Sequence, residues 1–249
     1  MTLHNGENAY IYGLHDAGGD HLLVDNTTPK GWVLVTEAIG ADPHAPGGGN
    51  YAGISSRGLG AIIRLNHDYG PNGTIPREEI YPQFAQRCAN FVAGSQGAHI
   101  WVLGNEMNFE REQPRQAGSN LAEPITPRRY AKCYKLVRDR IKSVPGHEED
   151  LVVVGAIGPW NGQTPYEADP QGVYPANKIP GAPSDYPYHG FFGDFIRYLH
   201  DILLCIGPDQ CDGIATHAYS HGYDPNLVFS DTKMGPPFET YHYHFRTYQ

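Results

Sequence analysis

The sequence predicts an α/β fold in which parallel strands curve toward a barrel. Three observations predict it. Short apolar runs alternate with amphipathic helical patterns along the chain, which is the signature of repeated βα units. Most of these runs are continuously apolar, as parallel strands covered on both faces must be. Polar and ionisable residues follow the runs directly, and a barrel collects such residues at one mouth.

Six strand-like runs are read, at residues 10–14, 32–37, 61–66, 99–104, 151–156 and 213–217. The clearest helix between them opens on Thr126 as N-cap with Pro127 in its first turn. It carries Tyr130, Tyr134, Val137 and Ile141 on one face. A second pattern holds Phe84, Cys88, Phe91 and Val92, and a third holds Phe192, Phe195, Ile196, Leu199 and Leu203. The expected architecture is a TIM (β/α)8-type barrel, incomplete at about six βα units. A doubly wound sheet is the alternative. Against it, no glycine fingerprint of the dinucleotide-binding type is present, and Gly47-Gly48-Gly49 is a bare loop run. The last pattern, Phe238, Tyr241, Phe245 and Tyr248, reads as helical, and the sequence ends inside it without a stop signal. At roughly 30 residues per βα unit, two units are expected to be missing.

The 249 residues are 40% hydrophobic and 18% charged, which suits one domain spanning 1–249 with a full core. The net charge is −9 with acids and bases interspersed. There is no basic stripe, so nucleic acid is not an expected partner. No apolar run approaches the roughly 18–20 residues of a membrane span, so no membrane association is expected. The N-terminus lacks a basic-then-apolar signal pattern; the expectation is a cytoplasmic chain, or a secreted one whose signal was removed. Gly (30), Pro (21) and Tyr (17) stand out. They point to long ordered loops and to flat faces with polar tips, which suit a cleft for a sugar-like ligand. The loop at 158–190 carries Trp160, Tyr166, Tyr174, Tyr186, Tyr188 and His189. It exceeds the roughly 15 residues beyond which loops are usually functional or disordered, and its aromatics predict a cleft wall. Of the four cysteines, none has zinc-ligand spacing. Cys205 and Cys211 flank a turn, where a disulfide and two free thiols are both compatible.

The most informative stretch is Trp101-Val102-Leu103-Gly104-Asn105-Glu106-Met107-Asn108. An apolar run stops at a glycine, and an amide and a carboxylate follow. Other polar groups fall at equivalent places. These are His15-Asp16 after the first run, Glu37 at the end of the second, Asn66-His67-Asp68 after the third, and His217 and Tyr219 after the sixth; Arg64 lies within the third. Thirteen histidines raise the question of a metal. There is no His-x-His on the first strand and no His-Glu-x-x-His helix, and His217 and His221 share a loop rather than a helix face. No metal and no cofactor are expected.

These residues resemble the retaining (β/α)8 glycoside hydrolases of clan A, the superfamily of many cellulases, mannanases and xylosidases. Asn105-Glu106 looks like that family's Asn-Glu pair at the end of strand four. Thr216-His217-Ala218-Tyr219 resembles its His-x-Tyr pattern at strand six, and Arg64 resembles its strand-three arginine. The resemblance implies Glu106 as general acid/base and Asn105 as partner of the sugar 2-hydroxyl. It implies that His217, Tyr219 and Arg64 line and support the subsite, and that the partner is an oligo- or polysaccharide. Trp160 would stack on sugar C–H faces, and His15 joins the mouth from strand one. The chemistry fits: glycosidic cleavage needs two carboxyl groups flanking the bond, about 5–5.5 Å apart for retention, and one must carry a proton.

The family's nucleophile is a glutamate ending strand seven, for which this sequence shows no run. Glu239 lies in the last helical pattern instead. Glu37, Asp16 and Asp68 are the other carboxylates that an inverting mechanism, at about 6.5–9.5 Å separation, would draw on. Two expectations follow. One is an enzyme cleaving β-linked glycosidic bonds. The other is a catalytically inactive truncated barrel that binds carbohydrate or serves as an oligomeric assembly element. In either case the open edges at strands one and six predict a homo-oligomer that covers them.

Overall fold

The computed structural model describes residues 13–16, 18–24, 31–159, 161, 164, 195–218, 224, 226, 230–235, 239 and 241–248. Five strands form one parallel sheet: β1 (Gly13–His15), β2 (Trp32–Ala38), β3 (Gly60–Asn66), β4 (Ile100–Leu103) and β5 (Leu151–Val154). They are paired in chain order. Among the described residues four α-helices accompany them: α1 (Ala52–Ser55), α2 (Tyr81–Ala93), α3 (Pro127–Lys142) and α4 (Phe195–Ile206). Helix α2 packs on α3 and α3 on α4, so these three form one row. A doubly wound sheet reverses its strand order at a switch point. This sheet does not, and it is compatible with a partial α/β barrel.

The pleat divides the sheet into two faces. Ile63, Leu65, Trp101, Leu103, Val152 and Val154 are at most 1% exposed. They share one core with Phe84, Cys88, Tyr130, Tyr134, Val137 and Phe195 of the helices. This is the layer that the three helical patterns predict. The alternate residues Trp32, Leu34, Ile62, Arg64, Ile100 and Leu151 are only half-buried. Register places Thr36 beside Arg64 and Arg64 beside Val102 on that second face.

Helix α3 forms as its sequence dictates. The Thr126 side chain accepts from the Arg129 backbone N–H and Pro127 opens the first turn. Its tyrosines also reach the sheet. Tyr130 Oη donates to the Leu103 carbonyl and accepts from the Gly155 N–H, and Tyr134 Oη donates to the Val152 carbonyl. α3 thereby fixes the end of β4 where the polar residues begin.

Two expectations are corrected. The sixth run pairs with β5 through a single bridge, Val154 to Ile214, with Val154 N–H donating to Gly213 and Ala215 N–H to Val154. Ile214 is its one large aliphatic residue and is 46% exposed, too little apolar surface to extend the ladder. The C-terminal pattern is not an α-helix among the described residues: Lys233 bridges His242 antiparallel, and a short 3-10 helix spans His244–Tyr248. Pro236 and Pro237 lie between the bridged partners, where proline lacks the N–H that a helix needs. The run at 10–12 and Phe192 lie outside the described residues. The four cysteines are free thiols, Cys88 and Cys133 buried and Cys211 donating to the Gly213 carbonyl at 3.3 Å. No helix among the described residues is long and apolar enough to cross a membrane.

Candidate active site

Glycine ends β4 for a steric reason. Gly104 has φ +75°, and a Cβ there would meet Ile75 Cδ1 at 2.7 Å. The turn it starts carries Glu106 at φ +42°, a left-handed conformation that costs a non-glycine residue about 1–2 kcal/mol. Surrounding bonds hold it there. The Glu106 N–H donates to the Ala156 carbonyl and its own carbonyl accepts from Phe109 N–H, both at 2.7 Å. The Asn105 carbonyl accepts from Thr74 Oγ1 at 2.8 Å. Buried Asn108 clamps the loop after β5, donating to the Gly158 carbonyl and to Thr164 while accepting from Gly158 N–H. Strain at a side chain held from several sides is a common feature of working sites.

Five of the sequence-predicted residues meet here. Glu106 Oε1 lies 2.7 Å from His217 Nδ1, and both side chains are about one-fifth exposed. Arg64 Nη1 donates to Asn105 Oδ1 at 2.8 Å, and Arg64 Nη2 lies 3.3 Å from His15 Nε2. His15 is exposed and pairs with Asp16 at 3.0 Å. His217 is held from behind, its carbonyl accepting from Tyr248 Oη at 3.0 Å. Trp160 and Tyr219 lie outside the described residues, as does most of the aromatic loop at 158–190.

The other carboxylates weighed from the sequence sit elsewhere. Glu37 shares the helix-side face with Leu65 and accepts from Tyr51 Oη at 2.8 Å. Burial, then that carboxylate, push the Tyr51 phenol far above its ordinary range. Asp68 staples its own loop by accepting from Asn72 Nδ2 at 2.7 Å. Glu239 is exposed on a turn.

The structure brings in a carboxylate that sequence reading missed. Glu112 is half-buried in the loop after β4, and its carbonyl accepts from the backbone N–H of Thr74, the residue that also ties down Asn105. Burial pushes its carboxyl above the ordinary glutamate range, and the charge of Glu106 pushes it further; Arg64 and His217 oppose the rise without cancelling it. Glu112 therefore feels the same three side chains that define the candidate site. No periodic pattern marks it, since it stands in the polar run Glu110-Arg111-Glu112. Its sequence signal would have been only a further glutamate, after Glu110, in the run that follows Glu106.

Beneath this cluster lies a polar floor. Thr36 Oγ1, Arg64 Nε and both side-chain polar atoms of Asn66 are buried without a hydrogen-bond partner. Thr36 and Arg64 are register neighbours, and Asn66 lies two residues on from Arg64, on the same side of the pleat. An unsatisfied buried polar group costs about 1–3 kcal/mol. Such a group is a standing invitation to water or to ligand hydroxyls.

Comparison of the chain with protein-family models, with curated proteins and with solved structures finds no match in any of the three.

Proposed function

We propose that this chain is a glycoside hydrolase-like protein of the TIM (β/α)8-barrel type that cleaves β-linked glycosidic bonds with two carboxyl groups. Glu106 serves as general acid/base and Glu112 as the second carboxyl. Asn105, Arg64, His217 and His15 surround the reacting sugar, and Tyr219 and Trp160 complete the subsite. The observation that carries the reading is Glu106 held against His217 beside the Arg64–Asn105 hydrogen bond at the end of β4, with the raised Glu112 carboxyl within reach of its charge. Glycosidic cleavage needs one carboxyl to protonate the leaving oxygen and a second carboxyl across the bond. The unsatisfied floor of Thr36, Arg64 and Asn66 adds groups that sugar hydroxyls can satisfy.

One observation favours a second assignment of roles. Burial and the charge of Glu106 favour the protonated form of the Glu112 carboxyl, while Glu106 lies against the His217 imidazole. In that arrangement Glu112 donates the proton and Glu106 is the second carboxyl.

Leaving-group dependence separates the assignments. Hydrolysis of aryl β-glycosides with poor and with activated leaving groups is measured for the wild type, Glu106→Gln and Glu112→Gln. The substitution that removes the acid abolishes turnover of poor leaving groups and spares activated ones; the other lowers both. Full turnover by Glu106→Gln removes Glu106 from the mechanism. Saturable oligosaccharide binding by the wild type without any product supports the inactive carbohydrate-binding barrel instead. We further propose that a second copy covers the open sheet edges at β1 and Ile214.

A further inference from the structure

At the opposite end of the sheet, ahead of β4 and β5, three side chains converge that the carboxyl site does not use. Asp150 is 3% exposed. Its Oδ1 lies 2.6 Å from His99 Nδ1 and its Oδ2 lies 2.7 Å from His147 Nδ1. Local backbone geometry makes this meeting obligatory. Leu151 N–H donates to the His99 carbonyl, which sets His99 beside Asp150 as the two strands begin. The sequence Pro145-Gly146-His147-Glu148-Glu149-Asp150 turns on Gly146, at φ +87°. Asp150 N–H closes that turn on the His147 carbonyl, so His147 and Asp150 stand side by side.

We propose that His99, His147 and Asp150 form a binding site for a zinc-class divalent cation. The ligand atoms of the three lie within 4.8 Å of one another, and two imidazoles with one carboxylate are a donor set that such ions take. Zinc holds nitrogen and oxygen ligands at about 2.0–2.2 Å, which in a tetrahedron sets them roughly 3.3 Å apart, so the short His99 and His147 contacts to Asp150 open by small side-chain rotations as the ion enters. Each Nδ1 that becomes a ligand gives up its hydrogen bond to Asp150. In a neutral imidazole that proton moves to Nε2 through solvent, and no net proton is released.

Supporting contacts are already in place. Trp101 Nε1 donates to Asp150 Oδ2 at 2.6 Å, and Lys142 Nζ donates to the Asp150 carbonyl at 2.8 Å. An outer hydrogen bond of this kind orients a metal-binding carboxylate. The Lys142 charge opposes a cation but is shared with Asp212 at 3.2 Å. His99, 41% exposed in its side chain, gives access from solvent. It also lines a cavity of about 160 Å³ bounded by Trp32, Leu59, Gly60 and Ile100, leaving space beside the ion for a water or a small ligand as fourth donor.

The site is tested by titrating the metal-stripped full chain with Zn²⁺ in a calorimeter, and with Co²⁺ followed by its visible absorption. The expected result is one site per chain, a tetrahedral cobalt spectrum displaced by zinc, and a melting temperature that rises with zinc. His99→Ala/His147→Ala should weaken that binding by at least about tenfold. Histidine ¹⁵N shifts in the wild type give an independent readout, because zinc should move the His99 and His147 resonances first. Unchanged affinity in the double variant, or zinc shifts confined to other histidines, overturns the proposal.

Discussion

At the residue scale, the candidate site rests on a carboxyl that opposes folding. The Glu112 carboxyl sits above its ordinary range through burial and the charge of Glu106. A carboxyl raised in the folded state contributes its stability below the unfolded value, and that stability is lost as pH rises through the folded value. Glu112→Gln removes the cost of ionising it. The expected outcome is a variant with a higher melting temperature than the wild type at pH 7, the two converging below about pH 4. A less stable variant at pH 7 would mean that the Glu112 side chain is held by favourable contacts instead. Gains of this sort are common where function has been placed ahead of stability.

At the scale of elements, α3 ties the end of the parallel sheet together. Its Arg138 and Lys142 converge on Asp212, just before the Ile214 bridge. Arg138 Nη2 lies at 2.8 Å and Lys142 Nζ at 3.2 Å, and the Val152 backbone N–H also donates to Asp212. Burial pushes the Asp212 carboxyl up, but the Arg138 hydrogen bond, the Val152 N–H and the two cations outweigh it and leave it below the ordinary aspartate range. Hydrogen bonds to charged groups are worth about 1.5–3 kcal/mol. Asp212→Asn is expected to lower the unfolding free energy at neutral pH by about 2 kcal/mol, read from urea denaturation. Because the folded value is depressed, this stabilisation is present above the unfolded value near 3.9 and fades as pH falls through the folded one. Wild type and variant should therefore converge in acid.

The same scale shows what was legible in the sequence. Buried elements were: the continuous apolar runs of β2 to β5 and the Tyr130–Ile141 stripe of α3 announce themselves because burial selects residue type at a fixed period. The sixth run was misread because one exposed isoleucine imitates a strand, and the C-terminal pattern because spaced aromatics such as Tyr241 and Tyr248 pack against the core without forming an α-helix. Asn105, Glu106 and His217 stood out from their position after apolar runs, and Arg64, inside β3, only through the family resemblance. Glu112 was not, because loop residues follow no period and what assembles them is Thr74, distant in sequence. The trio of His99, His147 and Asp150 was hidden likewise, since strand pairing rather than spacing brings it together.

At the scale of the whole molecule, the helix row covers one face of the sheet, and among the described residues no helix row covers the other. Trp32, Leu34, Ile62, Ile100 and Leu151 remain half-buried on that second face, and Ile214 stands exposed at the β5 edge. Edge strands with apolar flanks favour association. Light scattering across a micromolar concentration series is expected to show a concentration-dependent dimer or larger species, and a monomer throughout would refute self-association. In the proposed reading, substrate binds at the far end of the same face, where the unpartnered polar atoms of Thr36, Arg64 and Asn66 lie.

Whether Glu106 and Glu112 act as one carboxyl pair is read by following the Glu112 side-chain carboxyl by ¹³C NMR against pH, in the wild type and in Glu106→Gln. The expected result is a wild-type midpoint above the ordinary glutamate range that falls in Glu106→Gln, where burial still acts but the neighbouring charge is gone. An identical midpoint in the two proteins would contradict it.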